Sequence, residues 1–321
     1  MTTLAESGLG AKGRTKPKRL QGLLIGPPGG RKTVTAHGMP ATRTIDFDDG
    51  LQSVEWAIRA GKLPKTLDEI VYETILPKKP GEEGMADMLN RACDQVDKWI
   101  ADEDVDPAKW NKPYPQMWKT LIIDSASFMM DAVLGLALKE NSRLELSQSL
   151  KDAKKGIDAA QLRRGLYVVP MRIQDWGSAG SLFMKAIRQW RSMGKNLIIT
   201  AHEYAETDDE GRVLSYQPNV VGQLRSKLPA AFDEVWYMKV KAGSRPEDAP
   251  SVVFRTQLDA KRQAKTRLGC LDPDEPADFE AIKEKVAKFY GVDKSLLWQA
   301  YHGTKGRILA EQELVSESIA I

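Results

Sequence analysis

The chain has 321 residues, of which 42% are hydrophobic and 28% are charged, a balance typical of a folded globular protein. The formal net charge is +3, from 47 basic and 44 acidic residues, so total charge does not by itself indicate a nucleic-acid-binding protein. No apolar stretch reaches the roughly 18 residues of a membrane helix, the first ten residues lack a secretory apolar core, and Cys93 and Cys270 lie in no metal or redox motif. We therefore expect a cytoplasmic protein with no membrane partner.

Residues 1–19 predict a flexible basic arm. The segment between Gly10 and Leu20 has no hydrophobic periodicity and no acidic residue. Two interpretations stay open for this arm: a solvated tail, or a segment that contacts phosphate groups. Its cations are Lys12, Arg14, Lys16, Lys18 and Arg19.

The first half of the chain alternates predicted strands and helices. The apolar run 20–26 predicts a buried strand, which ends at a Pro/Gly loop and is followed by a short helix from Lys32. Further strands are predicted at 42–47 and near 69–75, and a Pro/Gly/Lys linker at 77–84 precedes an amphipathic helix at 85–100.

The middle of the chain predicts the centre of a sheet. Apolar strands at 119–124 and 196–201 end at Asp124 and His202, and helices are predicted at about 127–139, 150–164 and 179–193. Strands that are separated by helices favour a parallel sheet with helices on both faces, which is an α/β fold.

The last third of the chain has a different pattern. Runs at 235–240 and 252–256 predict adjacent antiparallel strands at the sheet edge, and segments 277–290 and 296–301 predict a small helical tail. The predicted organisation is an arm at 1–19, a core at 20–275 and a helical tail at 276–321.

One motif indicates a phosphate-binding loop. Residues 26–33 read GPPGGRKT and fit GxxxxGK[ST] except that Arg31 replaces the second glycine. Such a loop turns backbone N–H groups toward phosphates, with a lysine as point cation and a hydroxyl for Mg²⁺. The alternative is a glycine-rich turn with an incidental lysine. The predicted nucleotide-binding residues are Gly26, Pro27, Pro28, Gly29, Gly30, Arg31, Lys32, Thr33 and Val34.

Asp124 ends a predicted central strand, where a carboxylate can hold Mg²⁺ beside a phosphate loop. An aspartate at this place is also common as a helix cap, and Ser125 could cap equally well. Together with Lys32 and Thr33, we favour the metal role, with Thr33 and Asp124 as the predicted Mg²⁺ ligands.

The order of the segments GPPGGRKT, TRTIDFDDG, TLIIDS, DWGSAG, LIITAHE and VVGQLRSKLPAAFDEVWYM resembles the phage RecA-like P-loop ATPases described as AAA-type nucleotide-binding proteins. The resemblance is strongest to the RecA-like phage single-strand annealing proteins, and it covers residues 20–269. It implies a three-layer RecA-type core with a mostly parallel sheet and antiparallel edge strands. It also implies ATP and Mg²⁺ as cofactors, single-stranded DNA as partner, self-assembly into a ring or filament, and the cytoplasm of a bacterial host.

The resemblance assigns further roles residue by residue. Lys32, Thr33 and Asp124 match the family's phosphate and Mg²⁺ residues, and Asp48 falls where RecA-like enzymes usually have the glutamate that orients the attacking water. Aspartate is one methylene shorter, so Asp48 and Arg31 together predict slow hydrolysis, or none. The alternative for Asp48 is an acidic residue in a solvated turn.

Three more residues are assigned by position. His202 matches a polar sensor of the γ-phosphate, with a structural hydrogen-bonded histidine as the alternative. Lys265 and Arg267 match cations that reach the phosphate of a neighbouring subunit and stabilise the transition state, with a solvated basic loop as the alternative.

A DNA site is predicted from basic residues interleaved with aromatic ones. The alternative is a solvated helix end, and the acidic segment 203–212 is read as a loop that would repel phosphate. The candidate DNA-binding residues are Arg163, Arg164, Tyr167, Arg172 and Trp176.

The sequence thus predicts a RecA-like ATPase that binds single-stranded DNA and promotes annealing or recombination in phage DNA metabolism. A homo-oligomer is expected, and a single-strand-binding protein is a further candidate partner. Two alternatives stay open: a nucleotide-gated DNA-binding scaffold with little turnover, and a P-loop loader that acts on a replication protein.

Overall fold

The structure is a computed structural model that describes residues 19–78, 82–105, 117–141, 171–241 and 251–319. Within this part of the chain, no helix is long and apolar enough to cross a membrane. The predicted arm at 1–18 and the predicted helix at 150–164 lie outside the described residues, so both stay predictions.

Strands of the described residues form one nine-stranded sheet with the order β3-β2-β4-β5-β1-β7-β8-β9, and β6 pairs with β5 alone. The pairs among β3, β2, β4, β5, β1 and β7 are parallel, whereas β5–β6, β7–β8 and β8–β9 are antiparallel. The strands are β1 Gln21–Gly26, β2 Thr42–Asp46, β3 Val71–Thr74, β4 Thr120–Asp124, β5 Asn196–Thr207, β6 Val213–Pro218, β7 Glu234–Lys241, β8 Ser251–Arg255 and β9 Asp274–Pro276.

Helices lie between the parallel strands along the chain, because parallel strands need crossover connections. Short 3₁₀ helices occur at Leu67–Glu69 and Lys294–Leu296. The α-helices of the described residues are α1 Lys32–Ala36, α2 Gln52–Arg59, α3 Glu82–Met85, α4 Met88–Asp102, α5 Ala126–Glu140, α6 Ile173–Arg191, α7 Leu224–Ala230, α8 Phe279–Tyr290 and α9 Gly303–Ile319.

Two cores lie on opposite faces of the sheet. Leu121 and Ile123 of β4 point into one core with α4, α5, α6 and α7, while Ile122 between them points into the other with α1 and α8. This alternation follows from the period of two along a strand. The expected α/β three-layer fold, with a mostly parallel sheet and antiparallel edge strands, is confirmed.

The hairpin of β5 and β6 corrects one expectation. Segment 203–212 was expected to be a loop, but β5 continues to Thr207 and Glu203 pairs with Pro218. The acidic residues read as a loop because the apolar run stops at Ala201, where the strand leaves the core and its side chains become half-buried or exposed.

The C-terminal residues correct a second expectation. Helix α8 agrees with the predicted segment 277–290, but 296–301 is not a helix, because Trp298 has a left-handed backbone (φ 54) and its ring is buried. Trp298 packs against Phe279 with ring centroids 6.1 Å apart. Helix α9 follows it inside the predicted helical tail at 276–321, where no separate helix is predicted after residue 301. The proposed boundaries at 19/20 and 275/276 stay a prediction.

Candidate active site

Parallel pairing brings the ends of four strands to one edge of the sheet. Gly26 of β1 lies beside His202 of β5, and Asp46 of β2 lies beside Asp124 of β4. In open α/β sheets, ligands bind outside the carboxyl ends of the strands. This edge is therefore where the predicted site residues converge.

The loop after β1 has the backbone of a phosphate loop despite its substituted glycine. Gly29 has φ 72, and Arg31 has φ 61 and ψ 21, so Arg31 adopts the left-handed conformation that glycine tolerates best. Gly30 cannot be replaced freely, since an added Cβ would lie 2.9 Å from the carbonyl oxygen of Pro27. Compared with the glycine of the motif, Arg31 adds a side chain and backbone strain. The backbone at this position still has the left-handed conformation that a glycine would adopt.

Lys32 is buried under this loop, and its charge has no ion pair among the described residues. Its Nζ donates to the carbonyl oxygens of Gly26 (3.0 Å) and Pro27 (2.8 Å) and lies 3.4 Å from Nδ1 of His202. Burial lowers the pKa of Lys32, and the nearby carboxylates oppose that shift. No carboxylate of the described residues lies within ion-pair distance of Lys32, which leaves its charge available for a phosphate.

Asp124 combines one satisfied oxygen with one unpartnered oxygen. The hydroxyl of Thr200 donates to Oδ1. The side chain of Thr33 lies close enough to this carboxylate to lower its pKa. Burial, followed by the charge of Asp48, raises the pKa of Asp124. Its Oδ2 is buried and has no partner among the described residues.

These donors fit Mg²⁺, which takes hard oxygen ligands and keeps part of its coordination for substrate phosphates. No cluster of three or more His, Cys, Asp and Glu in the described part of the chain could hold a metal by itself. Thr33 and Asp124 would therefore hold the ion together with the nucleotide, and at this site Mg²⁺ would neutralise phosphate charge.

Asp46 and Asp48 form a carboxyl pair next to Asp124. The backbone N–H of Asp48 donates to Oδ1 of Asp46 at 3.1 Å. Burial, with a side-chain hydrogen bond to Asp48, raises the pKa of Asp46 to about 7. Asp48 lies close enough to Lys32 to influence its pKa. The structure thus places Asp48 near Lys32, and its role in orienting water stays a prediction.

His202 lies between the phosphate loop and α5. Its backbone N–H donates to the hydroxyl of Ser127 at 3.0 Å, and its ring packs edge-on against Phe128. Burial, and then the charge of Lys32, lowers the pKa of His202. The neutral ring can therefore accept a hydrogen bond beside Lys32, which suits a sensor position.

Residues 18–268 match the model of a family described as an AAA domain. The chain belongs to this AAA-domain family. It is also similar to the crystal structure of the flagellar accessory protein FlaH from Methanocaldococcus jannaschii, with 7% identity, coverage of 85% of this chain and 89% of that chain, and a TM-score of 0.36. None of the curated proteins matches the sequence.

Family membership supports an AAA-type P-loop ATPase that binds nucleotide, usually with Mg²⁺. This part of the resemblance is confirmed. Phage origin, single-stranded DNA and annealing stay predictions.

In this AAA-domain protein, Lys265 and Arg267 lie at the opposite end of the sheet from the phosphate loop. The backbone of Lys265 pairs with Val235, which lies beside Leu23 in the register of β1. The guanidinium of Arg267 pairs with Asp233 at 2.9 Å. Neither side chain therefore joins the phosphate loop of its own chain.

The predicted DNA residues are placed only in part. Arg163, Arg164 and Tyr167 lie outside the described residues. Arg172 precedes α6, and Trp176 on its first turns is 42% exposed. The structure therefore places one cation and one exposed aromatic ring of the predicted set on the same helix end.

Sequence reasoning missed Glu203 at this site. The carboxylate influences the pKa of Lys32, and its Oε2 is buried without a partner among the described residues. Burial raises the pKa of Glu203, while Arg262 and Lys32 lower it. If the predicted strand at 196–201 were extended past His202, Glu203 would follow directly after the residue that pairs with Gly26, at the start of the phosphate loop.

Proposed function

We propose that this AAA-domain protein binds ATP with Mg²⁺ and hydrolyses it. The observation that carries the proposal is a concentration of unpaired charge. All the buried carboxylate oxygens without partners in the described part of the chain lie at this edge of the sheet, around an unpaired Lys32. They belong to Asp46, Asp48, Asp124 and Glu203. A buried polar atom without a partner costs about 1–3 kcal/mol, so such a cluster is typical of a site completed by a ligand.

The side chains divide the work of hydrolysis. The loop N–H groups and Lys32 hold the phosphates, Thr33 and Asp124 hold Mg²⁺, and Asp48 orients the attacking water. His202, which faces Lys32, senses the γ-phosphate. The reaction is in-line attack of this water on the terminal phosphate.

We further propose that the ATPase acts on single-stranded DNA as a homo-oligomer in the cytoplasm, promoting annealing or recombination in phage DNA metabolism. The oligomer is proposed from the resemblance, in which Lys265 and Arg267 act on the phosphate of another copy; in their own chain neither joins the phosphate loop. Arg172 and the exposed Trp176 support a strand-binding surface, which needs cations and stacking rings. A single-strand-binding protein is a further proposed partner.

A second candidate is a nucleotide-gated scaffold with little turnover. The position of Asp48 favours it, because its backbone is tied to Oδ1 of Asp46 at 3.1 Å and its side chain is one methylene shorter than the glutamate usual in RecA-like enzymes. The left-handed Arg31 adds a side chain at the phosphate loop.

ATP hydrolysis with Mg²⁺, measured with and without single-stranded DNA, tests the proposal. Wild-type protein is expected to hydrolyse ATP faster with DNA, and Lys32→Ala is expected to lose at least about a hundredfold in turnover. Lys139→Ala, which changes an exposed lysine paired with Asp87, is the matched control and should keep its activity. Equal rates in wild type and Lys32→Ala would contradict the enzyme, and tight ATP binding without turnover would favour the scaffold.

Binding to single strands should weaken steeply with salt, since phosphate contacts release counterions. Fluorescence anisotropy of a labelled oligonucleotide between low and physiological salt measures this dependence. An affinity that does not change with salt would contradict a DNA partner.

A further inference from the structure

Glu203 differs from the other acidic residues of the β5–β6 hairpin. Glu206 lies on the same strand but is exposed, and its carboxylate accepts hydrogen bonds from Ser215 and Gln217 at 2.8 Å each. Glu203 is half-buried, and its Oε2 has no partner among the described residues. The hairpin therefore satisfies the carboxylate that faces solvent and leaves the inner one unsatisfied.

Glu203 lies one residue beyond the strand position that pairs with the start of the phosphate loop. It follows His202, which lies beside Gly26 where the phosphate loop begins. The charges of Lys32 and Arg262 both act on it, yet neither cation lies within ion-pair distance in the described structure. Arg262 stacks on Tyr216 at 4.1 Å, and its Nε is also buried without a partner among the described residues. The Oε2 of Glu203 and the Nε of Arg262 thus keep hydrogen-bonding capacity for a water molecule or a phosphate oxygen, as far as the described residues show.

The hydroxyl of Tyr237 lies near Glu203 but does not hydrogen-bond it. Tyr237 lies close enough for Glu203 to act on its pKa, but its hydroxyl donates to the carbonyl oxygen of Tyr216 at 3.0 Å. Burial raises the pKa of Tyr237 to about 12, so this ring stays neutral. Among the described residues, the Oε2 of Glu203 is therefore left without a side-chain partner.

Asp48 is the carboxylate proposed to orient the attacking water, and its Oδ1 is buried and unpartnered among the described residues. Asp46 holds the backbone of Asp48, whose N–H donates to Oδ1 of Asp46 at 3.1 Å. A second carboxylate at the same edge of the sheet can divide the work with Asp48, so that one group orients the water and the other takes its proton.

We infer that Glu203 is a second catalytic carboxylate of the ATP site, which accepts a hydrogen bond from the attacking water and receives its proton. The inference rests on the proposed ATP hydrolysis. The water oxygen bonds to the γ-phosphorus, the bond from that phosphorus to the β-phosphate oxygen breaks, and ADP leaves. One water proton moves to the Glu203 carboxylate and is later released to solvent with inorganic phosphate.

Single-turnover hydrolysis and equilibrium binding, with full-length protein and Mg²⁺, test this role. Glu203→Gln keeps the shape of the side chain but cannot take a proton, so the rate of hydrolysis is expected to fall about 10²-fold or more. The affinity for a non-hydrolysable ATP analogue should stay equal or rise a few-fold relative to ADP, because a negative charge near the γ-phosphate is removed. Glu206→Gln makes the same chemical change on the same strand and should behave as wild type.

The outcomes separate this inference from the proposed function. Glu203→Gln that binds the analogue and hydrolyses ATP within twofold of wild type overturns the role of Glu203 alone. Wild-type protein that binds ATP and never turns it over overturns both proposals. A fall in rate matched by an equal fall in analogue affinity indicates a structural role and also overturns the inference.

Discussion

Each end of the sheet holds a buried lysine beside a histidine, and the two lysines differ in their hydrogen-bond partners. Lys195, directly before β5, is 1% exposed. Its Nζ donates to both carboxylate oxygens of Glu103 (2.9 and 2.7 Å) and to the carbonyl oxygen of Trp118 (2.9 Å). It also lies 2.9 Å from Nδ1 of His302 and 4.6 Å from the centre of the Trp118 ring.

Lys32, at the phosphate-loop end, is 6% exposed and holds only two backbone carbonyl oxygens within 3.0 Å. Its histidine, His202, is more distant at 3.4 Å. Carboxylates surround it, but in the described structure none forms an ion pair with it. A lysine, a histidine and carboxylates thus meet at both ends of the sheet. At the Lys195 end they hydrogen-bond and ion-pair with one another, whereas at the Lys32 end the described residues form no such ion pair.

The difference separates stability from function. A buried charge that is paired and hydrogen-bonded fixes the chain around it, whereas a buried charge without its partner is held at a cost by the rest of the fold. Glu103 also accepts from the backbone of Gly303, so the saturated cluster fastens α9 to α4 and β5. We therefore expect substitutions at the Lys195 end to lower mainly stability, and substitutions at the Lys32 end to lower mainly activity.

The largest effect on stability is expected for Lys195→Met. Glu103 would remain buried without its counter-charge, which typically costs about 3–5 kcal/mol of unfolding free energy. Urea denaturation measures this loss. Lys32→Met, the matched change at the other end, should cost less than about 1 kcal/mol, since it removes only bonds to carbonyls and relieves a buried charge.

Adding Glu103→Gln to Lys195→Met should recover part of the lost stability, because the uncompensated charge is removed. Equal destabilisation by Lys195→Met and Lys32→Met would contradict the comparison.

Asp124→Asn should have the next largest effect, on activity alone. Removing the carboxylate charge is expected to slow hydrolysis about 10²–10³-fold, while the melting temperature does not fall. Burial raises the pKa of Asp124, so the folded state binds its proton more tightly than the unfolded state and loses stability as pH rises above the ordinary value of 3.8. The stability advantage of Asp124→Asn should therefore grow above that pH, and a variant that melts earlier at pH 7 would refute this assignment.

The sheet and the phosphate loop could be predicted from sequence because their signals are local. Apolar runs that end at Pro27 or Asp124 indicate strands with polar carboxyl ends, and the GPPGGRKT segment carries its own spacing. The left-handed backbone at Arg31 was not predicted, although it falls at the motif's second glycine position.

The rest of the site depends on distance in space, which sequence patterns do not contain. Glu203 read as part of an acidic loop, and only the pairing of β5 with β1 brings it toward Lys32. The Lys195–Glu103 pair joins residues that are 92 positions apart, and neither residue belongs to a recognisable sequence motif. Helix α9 was missed for a similar reason, since its first residues are held by Glu103 and Asp104.

His37 tests whether a buried side chain stabilises the fold because its hydrogen bonds are complete or because of where it lies. It is near the phosphate loop, yet both of its ring nitrogens have hydrogen-bond partners. Its Nδ1 bonds the carbonyl oxygen of Thr33 at 2.8 Å, and the hydroxyl of Thr44 lies 3.0 Å from its Nε2. Burial lowers the pKa of His37 from 6.5 to about 4. The unfolded state therefore takes up a proton first as pH falls, and the contribution of His37, on the order of 3 kcal/mol, is present above pH 6.5 and lost toward pH 4.

Asp46 titrates in the overlapping range with the opposite sign, so the comparison needs a variant. The difference in unfolding free energy between wild type and His37→Gln should shrink as pH falls from 6.5 to 4. Thermal denaturation at several pH values measures it. A difference that is constant over this range would show that His37 does not titrate as its burial implies.

The smallest effect is expected at Arg31, where strain and charge can be separated by two variants. Arg31→Gly relieves the left-handed strain but adds freedom to the unfolded chain, so its unfolding free energy should change by less than about 1 kcal/mol. Arg31→Ala removes the same charge and keeps the strain, so it should be about 1 kcal/mol less stable than Arg31→Gly. Both should lose ATP affinity by a few-fold at low salt, since a cation beside the phosphates is removed, and both should retain turnover. Equal stability of the two variants would mean that residue 31 does not adopt a left-handed backbone. The backbone of this loop would then differ from that of a phosphate loop with glycine at this position.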